Sequence, residues 1–185
     1  MSATSPANRH SATRRRGPLA ALLAALALVG CYPELDWREV TSAEGGYAVL
    51  LPAKPERASR EVAIADARLE LNMAWVHKEG MAFGAAYAVL PPGAPAKGPF
   101  LDAARDALAR NVGGRVTRER ALEIDGHPAR EFAAEGAAEG EPMRLAARVL
   151  VANGRFYQVV FVGRGGRGED ADVTMFLESF RLTAR

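Results

Sequence analysis

Residues 143–162 read MRLAARVLVANGRFYQVVFV, and their interpretation decides the fold. From Leu145 the stretch Met143–Ala152 is nearly continuously apolar, broken only by Arg148. Arg155–Val162 is more apolar still, with Phe156, Tyr157, Val159, Val160, Phe161 and Val162. Both runs have strand length, and β-branched and aromatic side chains suit a pleated, packed surface. Asn153 and Gly154 stand between them. These two residue types tolerate positive φ and close a tight hairpin, so the two strands are antiparallel. The second is apolar on both sides, which places it centrally in a sheet covered on both faces.

The same logic extends in both directions. Asp125-Gly126 closes a hairpin between strands at 115–124 and 128–135. In the first of these Val116, Leu122 and Ile124 share a face that Arg118 and Arg120 interrupt, as expected of an edge or half-exposed strand. The polar stretch Glu135–Pro142 reads as the connection to Met143. Upstream, Leu69, Leu71, Met73 and Trp75 alternate with Arg68, Glu70 and Asn72, a half-buried strand. Glu79-Gly80 turns it into a second apolar strand, Met81–Leu90. A weaker strand lies at 59–65, and Tyr47–Leu51 is a short one ended by Pro52 and Pro55.

Two segments have helical period instead. Phe100, Leu101, Ala104, Leu108 and Val112 fall on one face, between Pro99 and Gly113-Gly114. Val173, Phe176, Leu177 and Phe180 follow the i, i+3, i+4, i+7 pattern, with Asp170 and Asp172 placed to complement the helix dipole. Residues 91–99, PPGAPAKGP, can only be a loop. The order is β-β-β-β-α-β-β-β-β-α, an α+β fold with an antiparallel sheet of about seven strands flanked by two main helices. The domain is expected over 46–185. Residues 32–46 show no clean period and read as a tether.

Tyr47-x-Val49-x-Leu51-Pro52-x-x-Pro55 resembles the opening strand of PsbP-like α/β/α sandwich domains. Met175–Leu182 resembles their closing helix, where a final aromatic precedes a short strand-like tail. The resemblance spans roughly residues 45–184 through short apolar motifs. The family includes photosystem extrinsic subunits, a Ran-binding Mog-type protein and many small bacterial lipoproteins. It implies a non-catalytic binding module. None of the family's partner-binding residues can be matched here, so none is carried over.

The N-terminus is a separate object. The chain carries 24 Lys and Arg against 22 Asp and Glu, a net charge of +2. Residues 1–30 contribute Arg9, Arg14, Arg15 and Arg16 and no acid, so residues 31–185 have a net charge of −2. Residues 18–30, PLAALLAALALVG, form an uncharged run of 13, too short to cross a bilayer. A basic start and a short apolar run describe an export signal over 1–30. Leu28-Val29-Gly30-Cys31 resembles a bacterial lipobox. The resemblance implies cleavage before Cys31 and lipidation of its thiol, making 31–45 a lipidated tether. Several acyl chains anchor durably where one does not. A lone cysteine is otherwise commonly a buried, inert thiol; its place at the end of the apolar run argues against that. Tyr32 is not the aspartate that resembles an inner-membrane retention signal, which points to the outer membrane facing the periplasm.

Gly163-Arg164-Gly165-Gly166-Arg167-Gly168 matches the G-x-G-x-x-G pattern of dinucleotide sites. Such a site needs a following parallel strand with an acid about 20 residues on. Only 17 residues remain after Gly168, and Glu169 and Asp170 oppose a phosphate there, so a strand-to-helix turn is expected. A net-negative domain carrying one such arginine element has no nucleic-acid footprint. His77 and His127 are 50 residues apart and show no ligand spacing, even with Asp125 or Glu131 near the second. Ser42, Ser59 and Ser179 sit in no nucleophile elbow, and Glu135 and Glu139 read as a solvated loop pair. Trp37, Trp75 and Tyr87 are aromatics of the kind that line a pocket. Trp75, on a core-facing period, is expected in the core instead, and Trp37 either rests at the membrane interface or docks on the domain.

These readings give a lipid-anchored envelope protein, not an enzyme, with a binding or structural role toward an unknown envelope protein partner. No catalytic residue, cofactor or metal is assigned, and membrane lipid is contacted through acylated Cys31. A small-ligand-binding lipoprotein is the first alternative. A hydrolase or metal-dependent enzyme is the second, and needs His77 or His127 to meet acids or a serine.

Overall fold

The computed structural model describes Met1, residues 35–93 and residues 97–183. The chain divides into two compact units, Met1–Glu34 and Leu35–Arg185, and of the first only Met1 is described. The expected export signal, the lipobox-like stretch and Cys31 lie outside the described residues.

Seven strands form one antiparallel sheet: β3 (Glu56–Ile64), β4 (Ala67–Lys78), β5 (Met81–Val89), β6 (Arg115–Ile124), β7 (His127–Ala138), β8 (Glu141–Ala152) and β9 (Arg155–Arg164). Their order across the sheet is β3-β4-β5-β9-β8-β7-β6. A three-stranded sheet is built from β1 (Arg38–Ser42), β2 (Tyr47–Leu51) and β10 (Arg181–Leu182), with β2 between the other two. Helix α1 (Lys97–Asn111) joins β5 to β6, and α2 (Asp170–Glu178) joins β9 to β10.

The strand β9 is the middle of the seven, as its composition requires. Four of the hairpins turn on an X-Gly pair with both φ angles positive: Glu79-Gly80, Asp125-Gly126, Glu139-Gly140 and Asn153-Gly154. That is the primed turn whose twist matches paired strands. Alternate residues of each strand then feed two separate cores. On one face Leu71, Phe132, Leu145, Val149 and Phe156 pack under Phe100, Leu101, Ala104 and Leu108 of α1. On the other, Phe83, Leu150, Tyr157 and Phe161 pack under Val173, Phe176 and Leu177 of α2 and Tyr47, Val49 and Leu51 of β2. Aromatic rings knit the second core: Tyr47 stacks on Phe180 at 5.5 Å, and Phe83 meets Phe176 edge-on at 5.3 Å.

Three expectations are corrected. The first concerns residues 31–45, which are not tether throughout. The folded unit starts at Leu35, and Arg38–Ser42 forms β1 on the edge of the small sheet. Only Val40 of that strand is buried, so no alternation was available to signal it. Next, the polar connection Glu135–Pro142 is mostly strand, since β7 and β8 pair as far as Ala138 and Glu141. This end of the hairpin is largely exposed, which is why its residues are polar. Last, Val116 does not share a face with Leu122 and Ile124. A bulge between Val116 and Arg118 shifts the register by one residue, which sends Val116 to the α1 side.

Candidate functional site

The apolar period of β4 outruns the helix that covers it. Leu69 and Leu71 are buried beneath α1, but Met73 and Trp75 on the same face are only half-buried and His77 is exposed. Across β5 the matching positions are small: Gly84 pairs with Trp75 and Ala86 with Met73. On β9 Val160 pairs with Gly84 and Gln158 with Ala86. A large ring beside a row of small residues leaves a shelf of about 260 Å³, floored by Gly84, Ala86 and Val160, walled by Trp75 and Met73, and rimmed by Arg60, His77 and Gln158. A methyl added at Gly84 would lie 3.4 Å from the Trp75 Cβ, so the floor is already at contact distance from its wall. Trp75, expected in the core, is thus half-buried and open to solvent because α1 does not reach it. The small-residue alternation Ala82, Gly84, Ala86 opposite a tryptophan was the sequence signal for the depression.

On the opposite face a polar pocket of about 270 Å³ lies where the small sheet meets β3, β4 and β5. Tyr47 and Tyr87 line it with Glu44, Arg57 and Asn72. The Tyr87 hydroxyl donates to Glu44 at 3.4 Å, and the Tyr157 hydroxyl donates to the Gly45 carbonyl at 2.9 Å. Burial pushes the Tyr47 and Tyr87 hydroxyls above their usual pKa, Tyr87 further under the Glu44 carboxylate, so both remain neutral donors.

Among the described residues Arg148 is the charged side chain that is buried, 6% exposed. Its guanidinium meets Glu131 at 2.7 Å and donates to the Leu177 carbonyl at 2.9 Å, tying α2 to the sheet. Arg120 reaches the other Glu131 oxygen at 2.8 Å. Burial alone would raise the Glu131 pKa; the hydrogen bonds and charges of Arg120 and Arg148 outweigh it and hold the carboxyl below the ordinary value. In the sequence Arg148 is legible only as an interruption of an apolar strand.

The other sequence candidates are not brought together. His77 faces the α1 side of β4, while His127 opens β7 on the α2 side, opposite Ile124. Three strands, β5, β9 and β8, lie between them. Among the described residues no three His, Cys, Asp or Glu side chains could hold a metal ion. Ser42 Oγ accepts from the Gly45 N–H, Ser179 Oγ accepts from the Leu50 N–H and donates to the Phe176 carbonyl, and Ser59 is exposed on β3. Asp125 accepts from the Leu182 N–H at 2.7 Å. Glu139 pairs with Arg164 at 3.3 Å, and Glu135 is exposed on β7. Trp37 docks on the domain, edge-on to Phe83 at 5.5 Å.

The glycine-rich segment 163–168 ends β9 at Arg164 and then turns toward α2. Arg164, Gly165 and Arg167 already donate their amides to the carbonyls of Gly80, Pro142 and Arg164. A phosphate cradle needs such amides free. Gly163 is required because a Cβ there would lie 2.3 Å from the Arg167 carbonyl oxygen.

No family model matches the chain, and no curated protein does. Its likeness is to solved structures, of which 23 chains match. The solution structure of cyanobacterial PsbP (CyanoP) from Synechocystis superposes with a TM-score of 0.55 at 10% identity, covering 84% of this chain and 99% of that one. A Pseudomonas aeruginosa protein of unknown function aligns with a TM-score of 0.38 at 16% identity, over 63% of this chain and 86% of that one. The fold is PsbP-like, as the opening strand and closing helix implied.

Proposed function

We propose that this chain is a lipid-anchored envelope protein whose domain binds a protein partner and does no catalysis of its own. The observation that carries the binding role is the Trp75 shelf. It is apolar, open and fixed on paired strands, the geometry of a preformed contact surface with an aromatic anchor. The anchor rests on Leu28-Val29-Gly30-Cys31, and localisation at the outer membrane rests on the residue that follows. Two measurements test the reading. Palmitate labelling in cells is expected in the native chain and absent in Cys31→Ala; persistent labelling would remove the anchor. A photocrosslinker at Ala82 is expected to capture a discrete envelope protein, and Trp75→Ala to abolish the adduct. Capture unchanged by that substitution refutes the shelf.

The tyrosine pocket favours a second reading, a small-ligand-binding lipoprotein. Its neutral hydroxyls, Asn72 and Arg57 suit a polar, hydrogen-bonding molecule. A Tyr87→Phe variant that loses a co-purified small molecule while keeping the crosslink separates the two.

A further inference from the structure

On the α2 side of the sheet lies a cleft of about 250 Å³ that neither reading uses. Its floor follows from the register. Ala133 of β7 pairs with Arg118 of β6 and with Ala146 of β8, so two methyl groups lie side by side beneath longer neighbours. The next row holds Arg120, Glu131 and Arg148, and Arg144 stands on the far side of the alanines. Thr174 of α2 closes the wall.

The four guanidiniums are not equally engaged. Arg148 and Arg120 are committed to Glu131, with Glu178 a further 4.0 Å from Arg148. Arg144 holds Asp170 at 2.8 Å, but that carboxylate is 92% exposed, and a pair so wet contributes little. Glu135, opposite Arg144 across the strands, is exposed and makes no ion pair among the described residues. Arg118 has no carboxylate partner among the described residues either. One arginine without a counter-charge and one with a readily displaced counter-charge therefore face each other over a small-residue floor. We propose that this cleft binds a phosphate group, held between Arg118 and Arg144. Two strand spacings of about 4.8 Å and a two-residue offset of about 7 Å along the strands put the two Cα atoms roughly 12 Å apart across β7, a span that two extended arginines reach across together. A carboxylate is satisfied in one plane by one fork, whereas a tetrahedral phosphate offers oxygens to both.

The phosphate could belong to a soluble monoester or to a phospholipid headgroup. Equilibrium dialysis of radiolabelled inorganic phosphate against the full chain in neutral detergent tests the site itself. One saturable site is expected, weakened about tenfold or more in Arg118→Gln and in Arg144→Gln, since hydrogen bonds to charged groups are the strong class. Arg164→Gln, an exposed arginine on the opposite face, is the charge control and is expected to bind as the native chain does. Unchanged melting of Arg118→Gln shows that lost binding is not lost folding. Flotation of Cys31→Ala with phosphatidylglycerol vesicles then names the source. Flotation that depends on Arg118 assigns the site to a lipid phosphate, and none assigns it to a soluble one. Absence of saturable uptake, or equal weakening in Arg164→Gln, overturns the proposal.

Discussion

Replacing Arg148 by Met is the sharpest test of how α2 is held to the sheet. Methionine fills much of the same volume but removes the contacts to Glu131 and to the Leu177 carbonyl. Breaking a buried charge pair from one side costs about 3–5 kcal/mol, because the partner stays buried without its counter-charge. Glu131 keeps Arg120, and its side chain is 17% exposed, so the lower end, about 3 kcal/mol, is expected. For a domain of this size that lowers Tm by roughly 6–12 °C. Urea unfolding of the full chain reads the loss directly. In a Glu131→Gln background the same substitution should cost less by about 1 kcal/mol or more, since the stranded charge is gone. A cost below about 1 kcal/mol, or an equal cost in both backgrounds, refutes the clamp. Acid provides a second reading of the same group. The folded-state pKa of Glu131 is depressed, so its stabilising contribution is present above the unfolded value of about 4.3 and is lost as pH falls through the folded one. Glu131→Gln should flatten that part of the stability profile.

Two further predictions follow from single contacts. Ser179→Ala leaves the Leu50 N–H without its acceptor and is expected to cost about 1–2 kcal/mol by urea unfolding; Ser179→Thr, which keeps the hydroxyl, should recover part of it, and an unaffected alanine variant would show that water replaces the bond. Gly163→Ala forces a Cβ toward the Arg167 carbonyl and should cost about 1–3 kcal/mol, whereas Gly166→Ala meets no atom within 4 Å and carries only its positive-φ penalty, so equal losses would show that the loop moves aside.

Most of the large sheet was legible because its turns and its period-two strands are local features. Asn153-Gly154 and Asp125-Gly126 announce hairpins whatever surrounds them. β1 was hidden because an edge strand with one buried side chain, Val40, carries no period. The bulge at Val116 was hidden because a one-residue register shift leaves composition unchanged. The candidate sites were less legible still. Trp75 and Leu71 occupy equivalent positions of one alternation, and only the reach of α1 makes one surface and the other core. Arg118 lies on β6 and Arg144 and Arg148 on β8, two strands that meet only across β7, so no spacing along the chain connects them.

Every pairing in the seven-stranded sheet joins consecutive strands except one. The β5–β9 contact links Val89 to Arg155 and Met81 to Gly163, partners separated by 66 to 82 residues. Chain-closure entropy is therefore concentrated in a single seam, while β3–β5 and β6–β9 can each zip from their own turns. In contact order the domain is two local meanders joined by one long-range seam. That seam runs along Phe83 and Phe161, the aromatic centre of the core beneath α2, so the pairing that closes the sheet and the packing that locks it share the same residues.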